Sequence, residues 1–218
     1  HAPPEKDAGP IWREAAEMLE TSGADERLGE RLRYIYFAGG EWVHRADGET
    51  RPATSAERAE VRELVASHGR VLDLLSEATE HPGYTSHLDY HQGIELLLPH
   101  LAPAMSLARL ARLAAEAALA DGDADAALRH WKSMRDLSRW AAADSILLCH
   151  LVAVSIEDRH SRSIAANLAS GALGPEHLDR LVRSLAEPRG MRERLLRSLA
   201  SDITILTTTA RPWLGEQP

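Results

Sequence analysis

Apolar positions along this chain recur three and four residues apart, the spacing that lines one face of a helix. From Pro10, whose fixed φ suits a first helical turn, Trp12, Ala15, Ala16 and Leu19 share a face. Thr21-Ser22-Gly23 interrupts that stripe. A second helix from about Asp25 sets Leu28, Leu32 and Ile35 inward and ends at Gly39-Gly40. Glu41 to Ala53 carries charge, Gly and Pro and reads as a loop. Thr54-Ser55-Ala56-Glu57 fits a capping box, in which hydroxyl and carboxylate satisfy the first helical amides. The helix it opens runs to about Glu80, with Val61, Leu64, Val65, His68, Leu72, Leu75 and Thr79 on one stripe, and His81-Pro82-Gly83 stops it.

Residues 84–105 are irregular, with Tyr84, Tyr90, Gly93, Pro99 and Pro103 around a short helical turn at Ile94–Leu98. Helices follow near 104–120, 124–140, 144–169, 175–186 and 190–207. Asp121-Gly122-Asp123, Gly174-Pro175 and Pro188-Arg189-Gly190 punctuate them. Ile203–Thr209 is β-branched but continues a stripe through Met191, Leu195, Leu199, Ile203 and Leu206. The pattern predicts an all-α chain of eight or nine helices in an irregular stack of antiparallel pairs. Residues 1–9 form an extended lead, 10–207 one helical domain that would subdivide near 81–103, and 208–218 a tail. Ile146, Leu147, Leu148, Leu151, Val152, Val154 and Ile156 cover nearly the whole circumference of their helix. Such a helix must be enclosed, here by the 124–140 helix on one side and the 175–207 pair on the other.

Leu107, Leu110, Ala111, Ala114, Ala117 and Ala118 make a stripe of small side chains that admits a partner helix closely. After the Gly122 turn, Trp131, Met134 and Leu137 face back onto it. The hairpin resembles the tetratricopeptide (TPR) helix–turn–helix: Gly122, Ala127 and Trp131 match its turn glycine, its small residue and the aromatic four positions on. The match covers one repeat length, and no second copy is visible. A looser resemblance spans roughly 84–186, through Leu88-Asp89-Tyr90-His91-Gln92-Gly93-Ile94, Leu97-Leu98-Pro99-His100-Leu101 and Leu173-Gly174-Pro175-Glu176-His177-Leu178. It is to uncharacterised exported or membrane-anchored proteins of planctomycete-type bacteria. It implies a helical extracytoplasmic domain and supplies no catalytic residue.

Composition narrows the function classes. The 218 residues are 44% hydrophobic and 27% charged, a globular balance. A net charge of −8 disfavours a nucleic-acid partner, which needs a basic face. The single cysteine, Cys149, excludes an internal disulfide framework and cysteine-rich metal clusters. No apolar run is long enough to span a bilayer. The polar, Pro-rich start His1-Ala2-Pro3-Pro4-Glu5-Lys6-Asp7 and the absence of Met suit a chain whose signal or anchor segment has been removed. The expected location is extracytoplasmic or membrane-anchored, with a cytoplasmic one as the alternative.

Candidate chemistry concentrates in the histidines. His87 and His91 would bind a transition metal if their segment were helical, since residues four apart share a face. Tyr84, Asp89, Tyr90 and His91 are candidates to line a pocket. As packing residues, Asp89 and His100 would instead cap exposed backbone groups. Glu157-Asp158-Arg159-His160 has the Glu-x-x-His spacing of di-iron bundles, and Glu41-Trp42-Val43-His44 repeats it. His68 reads as a satisfied core histidine and Cys149 as a small buried hydrophobe. No Gly-x-Ser-x-Gly elbow, phosphate-cradling Gly loop or His-Glu-x-x-His is present. The expectation is a non-enzymatic helical module that binds a protein or peptide, with no cofactor. The alternative is a metal- or small-molecule-binding bundle that uses His87/His91 or Glu157/His160.

Overall fold

Most of the stripes do close into helices. In a computed structural model of the chain, residues 6–86, 88, 98–144, 146–168, 171–185 and 199–200 are described. Helices α1 (Gly9–Thr21) and α2 (Ala24–Glu26) are followed by a wide turn at Arg27–Arg31 and a tight one at Leu32–Tyr34. Strands β1 (Ile35–Ala38), β2 (Glu41–Ala46) and β3 (Glu49–Pro52) come next. The remaining helices are α3 (Ser55–Ser67), α4 (Gly69–Ala78), α5 (Leu101–Ala120), α6 (Ala124–Ala141), α7 (Leu147–Leu168) and α8 (Pro175–Leu185). The expected helix near 190–207 lies outside the described residues, apart from the helical pair Leu199-Ala200.

The chain is mostly helical but not all-α. The strands form an antiparallel sheet in the order β1-β2-β3, with Phe37 opposite Trp42 and Arg45 opposite Thr50. Two places expected to be helix end and loop are therefore hairpins. The reason lies in the two turns. Gly39 and Gly40 have φ of 62° and 90°, and Asp47 and Gly48 have 52° and 82°. Paired positive φ is the backbone of a two-residue type I′ turn, whose twist matches that of the flanking strands. Between the β-branched and aromatic runs Ile35–Phe37 and Trp42–Val43, such turns favour pairing over continuing a helix.

A second correction falls at His68, where the expected helix to Glu80 breaks in two. His68 leaves the helical region (φ −111°, ψ 23°), and α4 restarts at Gly69. Its ring is buried: Nδ1 lies 2.8 Å from the Leu64 carbonyl and Nε2 2.8 Å from Ser22 Oγ. The capping box is present at the start of α3. Thr54 Oγ1 accepts from Glu57 N–H at 3.2 Å, and Glu57 Oε2 accepts from Thr54 N–H at 2.7 Å. Arg51 grips the same carboxylate with two nitrogens, at 2.9 and 2.6 Å. That guanidinium, and then the Thr54 amide, hold the Glu57 carboxyl down at about 2 against desolvation.

The α5–α6 hairpin is the spine of the molecule. Gly122 turns the chain, and Asp123 caps α6 by accepting from Ala126 N–H at 2.8 Å. Trp131, Met134 and Leu137 are fully buried, as are Leu107, Leu110, Ala111 and Ala114 of the small-residue stripe. Helix α7 packs on α6, α5 and β1. It is not enclosed all round. Cys149, Ala153 and Ile156 are buried, whereas Leu148 (51% exposed), Leu151 (54%) and Val154 (44%) face outward. The helix needs only one apolar face to dock, and its second apolar face remains at the surface.

Buried polar groups fasten the sheet to this spine. Glu116 of α5 accepts from Phe37 N–H at 3.1 Å, and Asn167 of α7 donates to the Phe37 carbonyl at 2.9 Å. Arg112 pairs with Glu116 at 2.7 Å and donates to the carbonyls of Ile35 (2.8 Å) and Leu32 (3.3 Å). Ser163 Oγ donates to Glu116 Oε1 at 3.0 Å and accepts from Trp131 Nε1–H at 3.2 Å. Toward the opposite end of α5, Asp7 holds residues 83–85 against α1. Its Oδ1 accepts from Gly9 N–H (2.9 Å) and Thr85 N–H (3.0 Å), while Ala8 N–H donates to the Gly83 carbonyl at 2.9 Å. That strapped segment forms one wall of the site described next.

Candidate metal and ligand site

Six elements and connections meet where α5 and α7 begin. Trp12 comes from α1, Tyr84 and Ser86 from the strapped segment, and His100 from the residue before α5. Trp140 ends α6, Asp144 lies in the α6–α7 connection, and Cys149 is the third residue of α7. Tyr84 is set edge-on to Trp12 (centroids 5.8 Å, 78°) and stacks on Trp140 (6.2 Å, 26°). The Trp12 ring is also edge-on to His100 at 6.3 Å. Burial, and then the nearby Asp144 carboxylate, push the Tyr84 phenol upward, so it stays protonated.

Inside this aromatic wall, three ligand-type atoms converge. His100 Nε2 lies 3.5 Å from Asp144 Oδ2 and 4.0 Å from Cys149 Sγ, and the three groups fall within 4.8 Å of one another, all buried. Ser86 Oγ–H donates to Asp144 Oδ1 at 2.6 Å and orients the carboxylate. Burial pulls the His100 proton affinity down, with Asp144 opposing, and this favours the neutral imidazole that can ligate a metal. Cys149 sits in the first turn of the 22-residue α7, which brings its thiol to the start of the helix beside His100.

These three residue types also make nucleophilic triads, but the geometry differs. A relay needs the carboxylate on one imidazole nitrogen and the thiol on the other. Here Nε2 faces both. Tetrahedral coordination with bonds of about 2.0–2.3 Å places ligand atoms about 3.5 Å apart. The His100–Asp144 spacing of 3.5 Å equals that value and the His100–Cys149 spacing of 4.0 Å is 0.5 Å wider, so the thiol would have to draw in to close around an ion.

A cavity of about 230 Å³ opens beside the cluster, lined by Trp12, Arg13, Glu17, Tyr84, Ser86 and His100 among others. Trp12 Nε1 and His100 Nδ1 are buried without a hydrogen-bond partner, and both residues line it. The Trp12 indole donor and the His100 ring nitrogen, left unmet, cost about 1–3 kcal/mol each, so an occupant with polar atoms would be stabilised there.

Compared with protein-family models, curated proteins and solved structures, the chain matches none. The two resemblances drawn from its motifs gain nothing from those comparisons.

Of the residues singled out from the sequence, Tyr84 is at the site. His87, Asp89, Tyr90 and His91 lie outside the described residues. His100 does occupy the residue before α5, but its side chain makes no cap and turns inward. Cys149 is buried as expected, yet against His100 rather than among apolar groups alone. Among the described residues Glu157 and His160 join no ligand cluster: His160 is buried beside a cavity lined by Arg129, Lys132, Arg135 and Arg180. Glu41 and His44 lie three apart on β2, which puts them on opposite faces of the sheet. Asp144 and Trp140 are not singled out by the sequence pattern, and Trp12 reads there only as a core residue of the first helix. The available signal was a lone carboxylate in Ala141-Ala142-Ala143-Asp144, five residues before the one cysteine.

Proposed function

We propose that this protein is a metal-binding helical domain. His100 Nε2, an Asp144 oxygen and Cys149 Sγ would hold a transition-metal ion of the zinc class, beside a small-ligand cavity walled by Trp12 and Tyr84. One observation carries the reading: three buried ligand atoms of the right chemical types converge within 4.8 Å of one another. The unpartnered His100 Nδ1 supports it further, because a ligating histidine commonly donates its other N–H to an acceptor, which a cavity occupant would supply. Three protein ligands leave a position for water or substrate, the pattern of catalytic rather than structural zinc.

The full chain purified from zinc-supplemented growth is expected to hold close to one ion per chain, and the Cys149→Ser and Asp144→Asn variants to lose it. Cobalt-substituted protein should show a thiolate-to-cobalt charge-transfer band that vanishes in Cys149→Ser. Metal far below one ion per chain, or metal retained in both variants, would overturn the reading.

A second reading keeps the interaction module, and with it a TPR-like pairing of α5 and α6. What supports it is the outward apolar stripe Leu148, Leu151 and Val154, with Leu168 further along the same helix. Such a stripe suits a protein or peptide partner in the extracytoplasmic space that the motif resemblance implies. Photo-crosslinking from position 151 in native envelope material would trap that partner. Products no different from those trapped at exposed Arg162 would rule it out. Among the described residues no helix is long and apolar enough to cross a membrane.

A further inference from the structure

Five arginines gather where β1 lies against α5 and α7, in a chain whose net charge is −8. Three have partners. Arg112 is taken up by Glu116 and two carbonyls, Arg162 pairs with Asp158 at 2.9 Å, and Arg33 lies over the Tyr34 ring. Arg109 and Arg159 do not. Both are partly buried, both have a buried Nε without a hydrogen-bond partner, and among the described residues neither makes an ion pair. They also repel each other: after burial, the Arg159 charge is what most disfavours the protonated form of Arg109. Asp25, the carboxylate that acts on Arg109, is not within salt-bridge distance of it.

Beside this unbalanced pair is a hollow of about 180 Å³ lined by Tyr36, Arg112, Ser155, Asp158, Arg159 and Arg162. At about 30 Å³ per water it holds about six waters, which is room for a tetrahedral oxyanion of five heavy atoms. The Tyr36 ring is fixed in its wall by Arg112, whose Cζ lies 4.5 Å from the ring centroid. Tyr36 and Ser155 contribute hydroxyl donors to the lining. Asp158 would repel an anion, but its charge is already met by Arg162. Asp25 and Asp158 act on Arg109 and Arg159 only at a distance, without forming an ion pair with either. Two half-desolvated guanidiniums with no carboxylate in contact, a concave wall and two hydroxyl-bearing residues form a receptor suited to an anion.

We propose that this hollow binds a phosphate group, either as the free ion or as a phosphomonoester, with Arg159 in direct contact and Arg109 supplying the second charge. The site shares no side chain with the proposed metal centre, and either can fail without the other.

Thermal unfolding and calorimetry on the full chain test it, with inorganic phosphate in one arm, phenyl phosphate in another, and sodium chloride at matched ionic strength as the reference. Phosphate should raise the unfolding midpoint beyond the chloride control, and Arg159→Gln or Arg109→Gln should each weaken binding about ten-fold or more. Without anion, both variants should be at least as heat-stable as the parent, because a repulsion has been removed. Arg129→Gln, remote from the hollow, should bind like the parent. Tighter binding of the ester would identify a phosphorylated ligand, and tighter binding of inorganic phosphate the free ion. No phosphate effect beyond chloride, unchanged binding in Arg159→Gln, or collapse of that variant in the absence of anion would each overturn the proposal.

Discussion

At the scale of single residues, the histidines separate by surroundings rather than by spacing. His68 and His100 are both deep in the protein, yet the first has both ring nitrogens within hydrogen-bond reach of partners and the second leaves Nδ1 unmet. His130 is a third case. Burial, and then the Arg129 charge, bring its imidazole down to about 4, against an opposing pull from Asp123 and Asp73. The unfolded chain takes up that proton near pH 6.5, while the folded chain resists until about pH 4. The stability that His130 contributes is therefore complete above about pH 6.5 and is lost as pH falls toward about 4. The gap corresponds to about 3 kcal/mol between neutral and acid conditions. His130→Gln should flatten the acid limb of a denaturant-midpoint profile, and a limb as steep as the parent's would refute this. His68 was legible in the sequence as a satisfied core histidine, because it sits on an apolar stripe; the states of His100 and His130 were not, because proton affinity follows enclosure, and enclosure follows packing.

At the scale of elements, the α5–α6 hairpin was legible because helical periodicity, a turn glycine and an aspartate at the start of α6 agreed there. The sheet was hidden by a coincidence of spacing. Leu28, Leu32 and Ile35 extend a helical stripe into what is β1, and a 3.6-residue rhythm cannot be told from alternation over so few positions. The tighter clue was Asp47-Gly48 between two strand-like runs. Gly48→Ala forces a side chain into φ 82° and should cost about 1–2 kcal/mol by chemical denaturation. Gly69→Ala, in a helix with open space around it, should cost far less or even stabilise. Equal effects at the two positions would contradict the type I′ turn. Metal-ligand reasoning failed for a related cause: His100, Asp144 and Cys149 come from three separate stretches, and no spacing rule reaches across them.

At the scale of the molecule, the α5–α6–α7 spine and the N-terminal half are joined through buried polar atoms. Arg112 and Glu116 are both almost wholly buried, and burial raises the Glu116 carboxyl against the pull of Arg112. Removing one member of such a pair strands the other, so Glu116→Ala should lose about 3–5 kcal/mol, whereas a volume-matched apolar replacement of both partners should lose much less. A single-site loss below about 1 kcal/mol would mean water reaches the network. The anchoring of the Phe37 peptide from both sides, by Glu116 at its N–H and Asn167 at its carbonyl, bears on durability. A protease that nicks the outer Asp47–Gly48 loop would sever the backbone without parting the halves, since what holds them together lies inward of the cut, out of reach of both enzyme and solvent.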